Sequence, residues 1–402
     1  MNIAKQKRMS TALAVALFSM LAPMIIATRL FHSMTYLVPL YAIGFIVQFL
    51  VLSYTMSPFA PNENALAIFA LYFLFLTLPL INNLILGISI NLYDPINSAI
   101  KLINFFLFFV IMQSVKIDEL EFAKFMKIIV TFSIIACLYS LFFEYNELLS
   151  IRHITNTNLL NIRSFFSNRN QYSSFLVVAF VANIYLNQIK KQQFRFFYFA
   201  LQIFCILTTF SRSAFFCVLI ISFLMLFLNQ HTKTKTILLI MFILILLGIA
   251  FTTGVINYVL KNYIRWDVSA DSGRFALWKY AWDIAKNNLF TGVGFYAGVD
   301  IAQSRGMSLT QFHNMFFDLL VDGGMLEVFF IVSILYYVYK RCRLGCQNSR
   351  LSMVYVASLV SFLFHACFES LSIFALSYSD TLYTIFYISV PILLSNMEPT
   401  DV

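Results

Sequence analysis

Charge is scarce in this chain: Asp, Glu, Lys and Arg together make up 11% of its 402 residues, where a soluble domain would carry roughly a quarter. That shortage excludes an ordinary soluble globular fold. The apolar runs are long and continuous, which also argues against a transmembrane β-barrel, whose strands read as short alternating segments. None of the six cysteines falls in a long polar loop, so no disulfide framework is indicated. Cys342 and Cys346 have no His or further Cys nearby and read as ordinary reduced thiols, not as a metal site. The chain also lacks an Asp-x-Asp pair, a Walker-type loop, a His-Glu-x-x-His helix and a Gly-x-Ser-x-Gly elbow.

What the chain has instead is apolar runs of about twenty residues, the length of a membrane-spanning helix. They fall near 9–28, 33–53, 64–86, 96–115, 125–145, 171–188, 196–210, 213–229, 236–254, 315–339, 351–373 and 380–395. This predicts an all-α polytopic integral membrane protein of about twelve transmembrane helices, forming one membrane domain over 1–402. The first run follows Lys5, Lys7 and Arg8, which resemble a signal-peptide n-region, but no small-residue cleavage site follows. It is read as a retained first helix. Ser211-Arg212-Ser213 joins two runs either by a tight turn or as the break in one long helix.

Lys and Arg gather in alternate short connections, among them Lys116, Lys124 and Lys127, Lys190, Lys191 and Arg195, and Lys340, Arg341, Arg343 and Arg350. The positive-inside rule then predicts cytoplasmic N- and C-termini and puts the longest polar interruption, 255–313, on the outer face between the ninth and tenth helices. A long loop holding Arg, Trp, Gly and His in a membrane-buried chain is where function is expected. The net charge of +9 is partly topology signal. The rest, rich in outward arginines with their planar phosphate-gripping fork, suggests an anion site. Nucleic acid is a poor partner, because the basic residues are divided between two membrane faces.

Several residues carry candidate chemistry. Arg212, at a helix junction close to hydrocarbon, reads either as a snorkelling side chain or as an anion ligand beside free helix N–H groups. Arg274 opens an amphipathic stretch in which Leu277, Ala281, Ile284 and Ala285 follow helical spacing and Trp278 and Trp282 lie one turn apart. Such a helix holds Arg274 at headgroup depth. Gly292-Val293-Gly294 reads as a turn or a close backbone approach. His313 opens the next helix. A lone His at a helix start is commonly structural, yet imidazole suits a general base taking a proton from a sugar hydroxyl. Asn314, Asp318 and Asp322 recur every four residues on one helical face. His365 and Glu369, one turn apart in the eleventh run, read either as a satisfied helix–helix bond or as site residues. Arg163 and Arg169 on the outer face either help bind the same anion or belong to a segment capping the next helix through Asn168 or Asn170.

Taken together, Ser211-Arg212-Ser213-Ala214, Gly273-Arg274 with Trp278, Leu289-Phe290-Thr291-Gly292-Val293-Gly294, and His313-Asn314 leading to Leu319-Leu320 and Gly323-Gly324 resemble the O-antigen ligase and polymerase superfamily of bacterial membrane glycosyltransferases. The resemblance covers roughly 160–340. It departs at Phe312, where a Pro or Ser before the His-Asn pair is familiar in the family. It implies a GT-C-like helical fold in the bacterial cytoplasmic (inner) membrane and metal-independent inverting transfer without a cofactor. The implied donor is an undecaprenyl-diphosphate-linked glycan. Arg212 and Arg274 would hold the diphosphate leaving group and His313 would deprotonate or position the acceptor hydroxyl. Arg163, Arg169, Asn314, Asp318 and Glu369 are the remaining candidates for substrate binding. Within the superfamily, polymerisation of lipid-linked repeat units (O-antigen, capsular or exopolysaccharide) is expected ahead of ligation to lipid A–core. A flippase for lipid-linked oligosaccharides ranks third, because charge concentrates at outer helix ends and no internal repeat is evident. Membrane lipids and a chain-length regulator are the expected partners.

Overall fold

The computed structural model describes residues 9–56, 62–85, 93–149, 162–190, 193–228, 274–294, 297–304, 306 and 311–397. All regular structure among them is helical. In chain order the elements are α1 (Met9–Ile25), α2 (Leu37–Met56), α3 (Glu63–Ile85), α4 (Tyr93–Phe105), α5 (Glu119–Phe143), α6 (Tyr145–Leu149) and α7 (Arg169–Ile189). They continue as α8 (Arg195–Thr208), α9 (Arg212–Leu228), α10 (Arg274–Ala285), α11 (Ala297–Ser304), α12 (Met315–Asp322), α13 (Gly324–Gly345), α14 (Ser349–Ala366), α15 (Tyr378–Thr384) and α16 (Val390–Ser395). Seven helical stretches among the described residues are long and apolar enough to cross a membrane: 9–30, 37–56, 63–85, 95–114, 119–143, 169–189 and 349–366. The apolar helices α8 and α9 are shorter. The protein is an integral membrane protein. The expected ninth helix at 236–254 and the start of the polar loop lie outside the described residues.

Helix boundaries follow from capping chemistry. Asp118, Asn168, Asn314, Asn348 and Ser377 each accept a backbone N–H from the first turn they precede, supplying acceptors that an apolar side chain cannot. The junction at Ser211 is two helices with a tight turn, in which Phe210 adopts a left-handed backbone at φ 55°. Two expected runs are interrupted. The stretch expected as one helix over 315–339 divides at Gly323-Gly324, because Gly324 sits at φ 69° and breaks the α-helical path. The stretch 351–373 leaves the helix after Ala366, and a non-helical segment runs on to Ser377.

Inside the bundle, polar side chains are paired across helices as a water-free interior demands. Gln48 Nε2 donates to Asn104 Oδ1 at 2.7 Å, and Asn104 Nδ2 reaches the Phe374 and Ala375 carbonyls at 2.9 and 3.0 Å. Two π-helical turns, Phe106–Val110 and Ile385–Ser389, meet where Ser389 Oγ donates to the Phe108 carbonyl at 3.0 Å. Wider turns leave carbonyls less well satisfied, and a neighbouring hydroxyl supplies the donor.

The helices alternate in direction and their ends collect into two layers. At one end, Arg341 bonds Ser395 and Asn396, Asn396 Nδ2 bonds the carbonyls of Met112, Gln113 and Val115, Asn348 bonds Glu119, and Ser10 bonds Glu121. At the other end, Arg29 meets Glu144 and the Ser164 carbonyl, Lys101 meets Glu327, and Asn83 meets the Val293 carbonyl. The short helices α10 to α12 cover this second end with a small apolar core of Ala281, Ile284, Ala285, Val293, Ala302, Phe312 and Val321. The segment 289–294 is strapped onto the α12–α13 break. Val293 and Gly294 donate to the carbonyls of Val321 and Asp322 at 2.8 and 2.9 Å, and Met325 donates back to Leu289 at 2.8 Å.

The two backbones meet at Gly292 and Gly324, which explains the glycines. A Cβ on Gly292 would lie 2.3 Å from the Asp322 carbonyl oxygen, and one on Gly324 2.3 Å from that of Phe290. Both also have positive φ. Gly292→Ala is therefore expected to cost about 1–3 kcal/mol through overpacking, seen as a lower midpoint of thermal unfolding in detergent. A variant that melts with the parent would contradict the strap.

Candidate active site at one end of the bundle

The segment after α14 brings the site together. Glu369 lies beyond the helix end, with its N–H donating to the His365 carbonyl at 3.0 Å, and its carboxylate is only 8% exposed. Arg274 Nη2, at the first residue of α10, meets Glu369 Oε1 at 2.9 Å. His313 Nδ1, just before α12, stands 3.5 Å from Glu369 Oε2. Asn170 Nδ2, in the first turn of α7, lies 3.4 Å from Oε1. Three elements distant in sequence thus meet on one carboxylate. Burial pushes the Glu369 carboxyl up, but the hydrogen bond from His313 and the charge of Arg274 outweigh it and hold the group below the usual glutamate value.

His313 is held in a left-handed backbone at φ 55°, a conformation that costs energy in a non-glycine residue and recurs at functional sites. Its neighbours fix it from both sides. Asn314 caps α12 by accepting from the N–H groups of Phe316 and Phe317, and its amide donates to the Cys367 carbonyl at 2.9 Å. Asp318 Oδ1 accepts the Phe312 N–H at 3.2 Å. Nδ1 of His313 also lies 3.2 Å from Gln311 Nε2. One Nδ1 cannot serve both groups, because a protonated Nδ1 donates to Glu369 while a bare one accepts from Gln311. In the neutral tautomer that donates to the carboxylate, with the Gln311 amide turned over, Nε2 is the unprotonated nitrogen.

Beside this cluster is a cavity of about 550 Å³ lined by Arg169, Asn170, His313, Asp318, Glu369 and Tyr383, together with Lys101 and Asp380. Arg169 feels the charges of both Glu369 and Arg212, so the two arginines at the starts of α7 and α9 share one electrostatic neighbourhood. Arg212 itself is exposed. Trp278 of α10 turns inward and stacks on Phe317 with ring centroids 6.1 Å apart, whereas Trp282 is 47% exposed. Of the two, only Trp282 is on the exposed side of α10.

The expected site residues therefore divide. Arg274, His313, Glu369, Arg169 and Asp318 come together at the cavity or on its rim, with Arg212 alongside Arg169. Arg163 is turned elsewhere: its Nη1 donates to the Ser167 carbonyl at 2.9 Å and its backbone N–H to the Glu144 carboxylate at 3.2 Å. It organises the loop before α7 and does not line the cavity. Asn314 is a cap and does not line the cavity as Asp318 and Asp322 do, whereas Asn168 both caps α7 and lines the cavity. His365 is buried beside Ser174, with Nε2 3.5 Å from Oγ.

Lys101 was overlooked as a site residue. Its ammonium is buried on the cavity wall and pairs with the buried Glu327 at 2.9 Å. The sequence carries a signal for it, because a lysine inside the apolar run 96–115 is expensive without a partner.

Asp318 is ringed by protein, and burial pushes its carboxyl from 3.8 up to about 6. A raised carboxyl value favours the folded state below the unfolded value, and that advantage disappears as pH rises through the folded one. Stability is thus expected to fall from about pH 4 to pH 6 on account of Asp318. Asp318→Asn should flatten that slope in thermal melts across the interval; an unchanged slope would contradict the assignment.

No curated protein matches the chain. Residues 197–332, the stretch that carries Arg212, Arg274 and His313, match the family model described as O-antigen ligase.

Proposed function

We propose that the protein polymerises undecaprenyl-diphosphate-linked oligosaccharide repeat units at the outer face of the cytoplasmic membrane, with inversion at the anomeric carbon. The observation that carries this reading is the single buried carboxylate, Glu369, shared by Arg274 and His313 at the edge of a polar cavity. A cation and a base poised side by side are what the transfer needs. His313 Nε2 takes the proton of an acceptor hydroxyl, the oxygen attacks the anomeric carbon, and the bond to the diphosphate breaks with its electron pair going to the leaving phosphate oxygen. Charge grows on that diphosphate through the transition state, so preorganised guanidinium groups stabilise the transition state more than the ground state.

Arg274 holds Glu369 in the resting protein and exchanges part of that contact for a phosphate oxygen when the donor arrives. Arg169 and Arg212 at two helix starts supply further positive charge. The orientation rests on the charge pattern. Arg341, Arg343 and Arg350 lie at or beside the C-terminal end of α13 and the N-terminal end of α14, away from the cavity, and the positive-inside rule makes that end cytoplasmic. An even number of spans, twelve in this reading, would put the N- and C-termini on that same side.

Ligation to lipid A–core is the second reading, favoured by the description of the matching family as an O-antigen ligase. Purified protein in liposomes separates the two: a polymerase lengthens lipid-linked repeats, and a ligase modifies core lipid. In whichever assay is positive, Arg274→Ala is expected to lower turnover by about 10²–10³-fold and His313→Ala by about 10²–10⁴-fold. In cells, lipid-linked units should still reach the outer face. Their accumulation on the cytoplasmic side would point to transport and overturn the proposal.

A further inference from the structure

The cavity is electrostatically divided, and only one part of it suits a diphosphate. At one side Arg169 with Arg212, and Arg274 with His313 on Glu369, gather positive charge. At the other, Lys101 is the buried cation. It pairs with Glu327 at 2.9 Å, and its charge also bears on Asp318 and Asp380. One ammonium thus bears on three carboxylates, which outnumber it even though His313 also bears on Asp318. A phosphate would be repelled there. Asp318 Oδ2 is shut off from bulk water with the Ser370 hydroxyl as its neighbour, and Asn97, Ser372 and Tyr383 join Asp318 and Asp380 in the lining. Carboxylates, amides and hydroxyls around a volume in the ~300–1,000 Å³ range of small-ligand sites match the alternating donors and acceptors of a sugar.

We infer that this Lys101–Asp318–Asp380 lobe is the acceptor-glycan subsite, and that it takes a neutral or amino-bearing sugar and rejects an acidic one. The inference rests on the glycosyl-transfer reading above and adds the class of acceptor. Asp318 connects the two lobes. The same carboxyl that faces the cavity fixes the Phe312 N–H through Oδ1, next to the strained His313 backbone. A sugar hydroxyl bonded to Asp318 is thereby delivered beside the base. The buried Lys101–Glu327 pair holds the wall in place and tempers its charge without reversing it. A uronate carboxylate entering the lobe would meet like charge in a low-dielectric setting, which is costly.

The test uses the full-length protein in liposomes with its lipid-linked donor and two acceptors: the neutral glycan it extends, and the same glycan with its primary hydroxyls oxidised to carboxylates. The oxidised acceptor is expected to have a KM at least about tenfold higher. In Asp380→Asn and in Asp318→Asn that ratio should shrink towards one, while the KM for the donor stays put. A ratio of KM values does not depend on the fraction of protein that is folded, so a poorly folding variant still reports. Equal use of both acceptors by the parent protein, or an undiminished ratio in both variants, would overturn the inference and leave the transferase reading intact. Failure of the parent protein to extend even the neutral glycan would overturn both.

Discussion

Glu369 is the group on which the arrangement depends. A carboxylate buried among apolar helices is tolerated only if positive charge and hydrogen bonds compensate it, and here the compensation comes from the start of α10, the start of α7 and the residue preceding α12. The cost of burying one charge thus pulls three remote parts of the chain to a single point. It also orients Arg274. A guanidinium held by a carboxylate is already placed and partly desolvated, so under the proposed function little reorganisation remains when a diphosphate competes for it.

Geometry around that carboxylate is kept by parts that carry no chemistry. The strap 289–294 fastens the loop to the α12–α13 break through main-chain hydrogen bonds, and those bonds exist only because Gly292 and Gly324 let two backbones touch. Asn314 fixes the start of α12 and at the same time ties it to the Cys367 carbonyl, two residues before Glu369. The His313 ring is thereby positioned from the helix it precedes and from the segment that bears its carboxylate. Strain at its φ of 55° is sustained by these bonds.

The fold was legible in composition and periodicity because membrane helices advertise themselves: long apolar runs, scarce charge, and a cap candidate at Asn168. Two boundaries were not legible. The run 315–339 is apolar throughout, and its division depends on Gly324 meeting Phe290, a contact between residues far apart in the chain. The run 351–373 ends early, and beyond its end Glu369 pairs with Arg274 and His313 while the Cys367 carbonyl accepts from Asn314. Among candidate residues, Arg274, His313 and Glu369 could be singled out as ionisable groups at membrane ends, but their convergence is tertiary. Arg163 and Asn314 were misjudged for the same reason: an arginine or asparagine beside a helix start looks alike in sequence whether it binds a ligand or a backbone carbonyl. Lys101 shows the converse. Its partners lie more than two hundred residues away in α12 and α13 and on α15, so only the fold reveals that it belongs to the cavity.

A cryo-electron-microscopy structure of the protein in a lipid nanodisc with undecaprenyl diphosphate bound would bear most directly on the convergence of Arg274, His313 and the arginines of α7 and α9 around one anion. The account predicts diphosphate density on the Glu369 side of the cavity, within hydrogen-bonding distance of Arg274 and beside Arg169 and Arg212, with the Lys101 lobe left open. Diphosphate density against Lys101 and Asp380, or at the end of the bundle marked by Arg341 and Asn396, would contradict it.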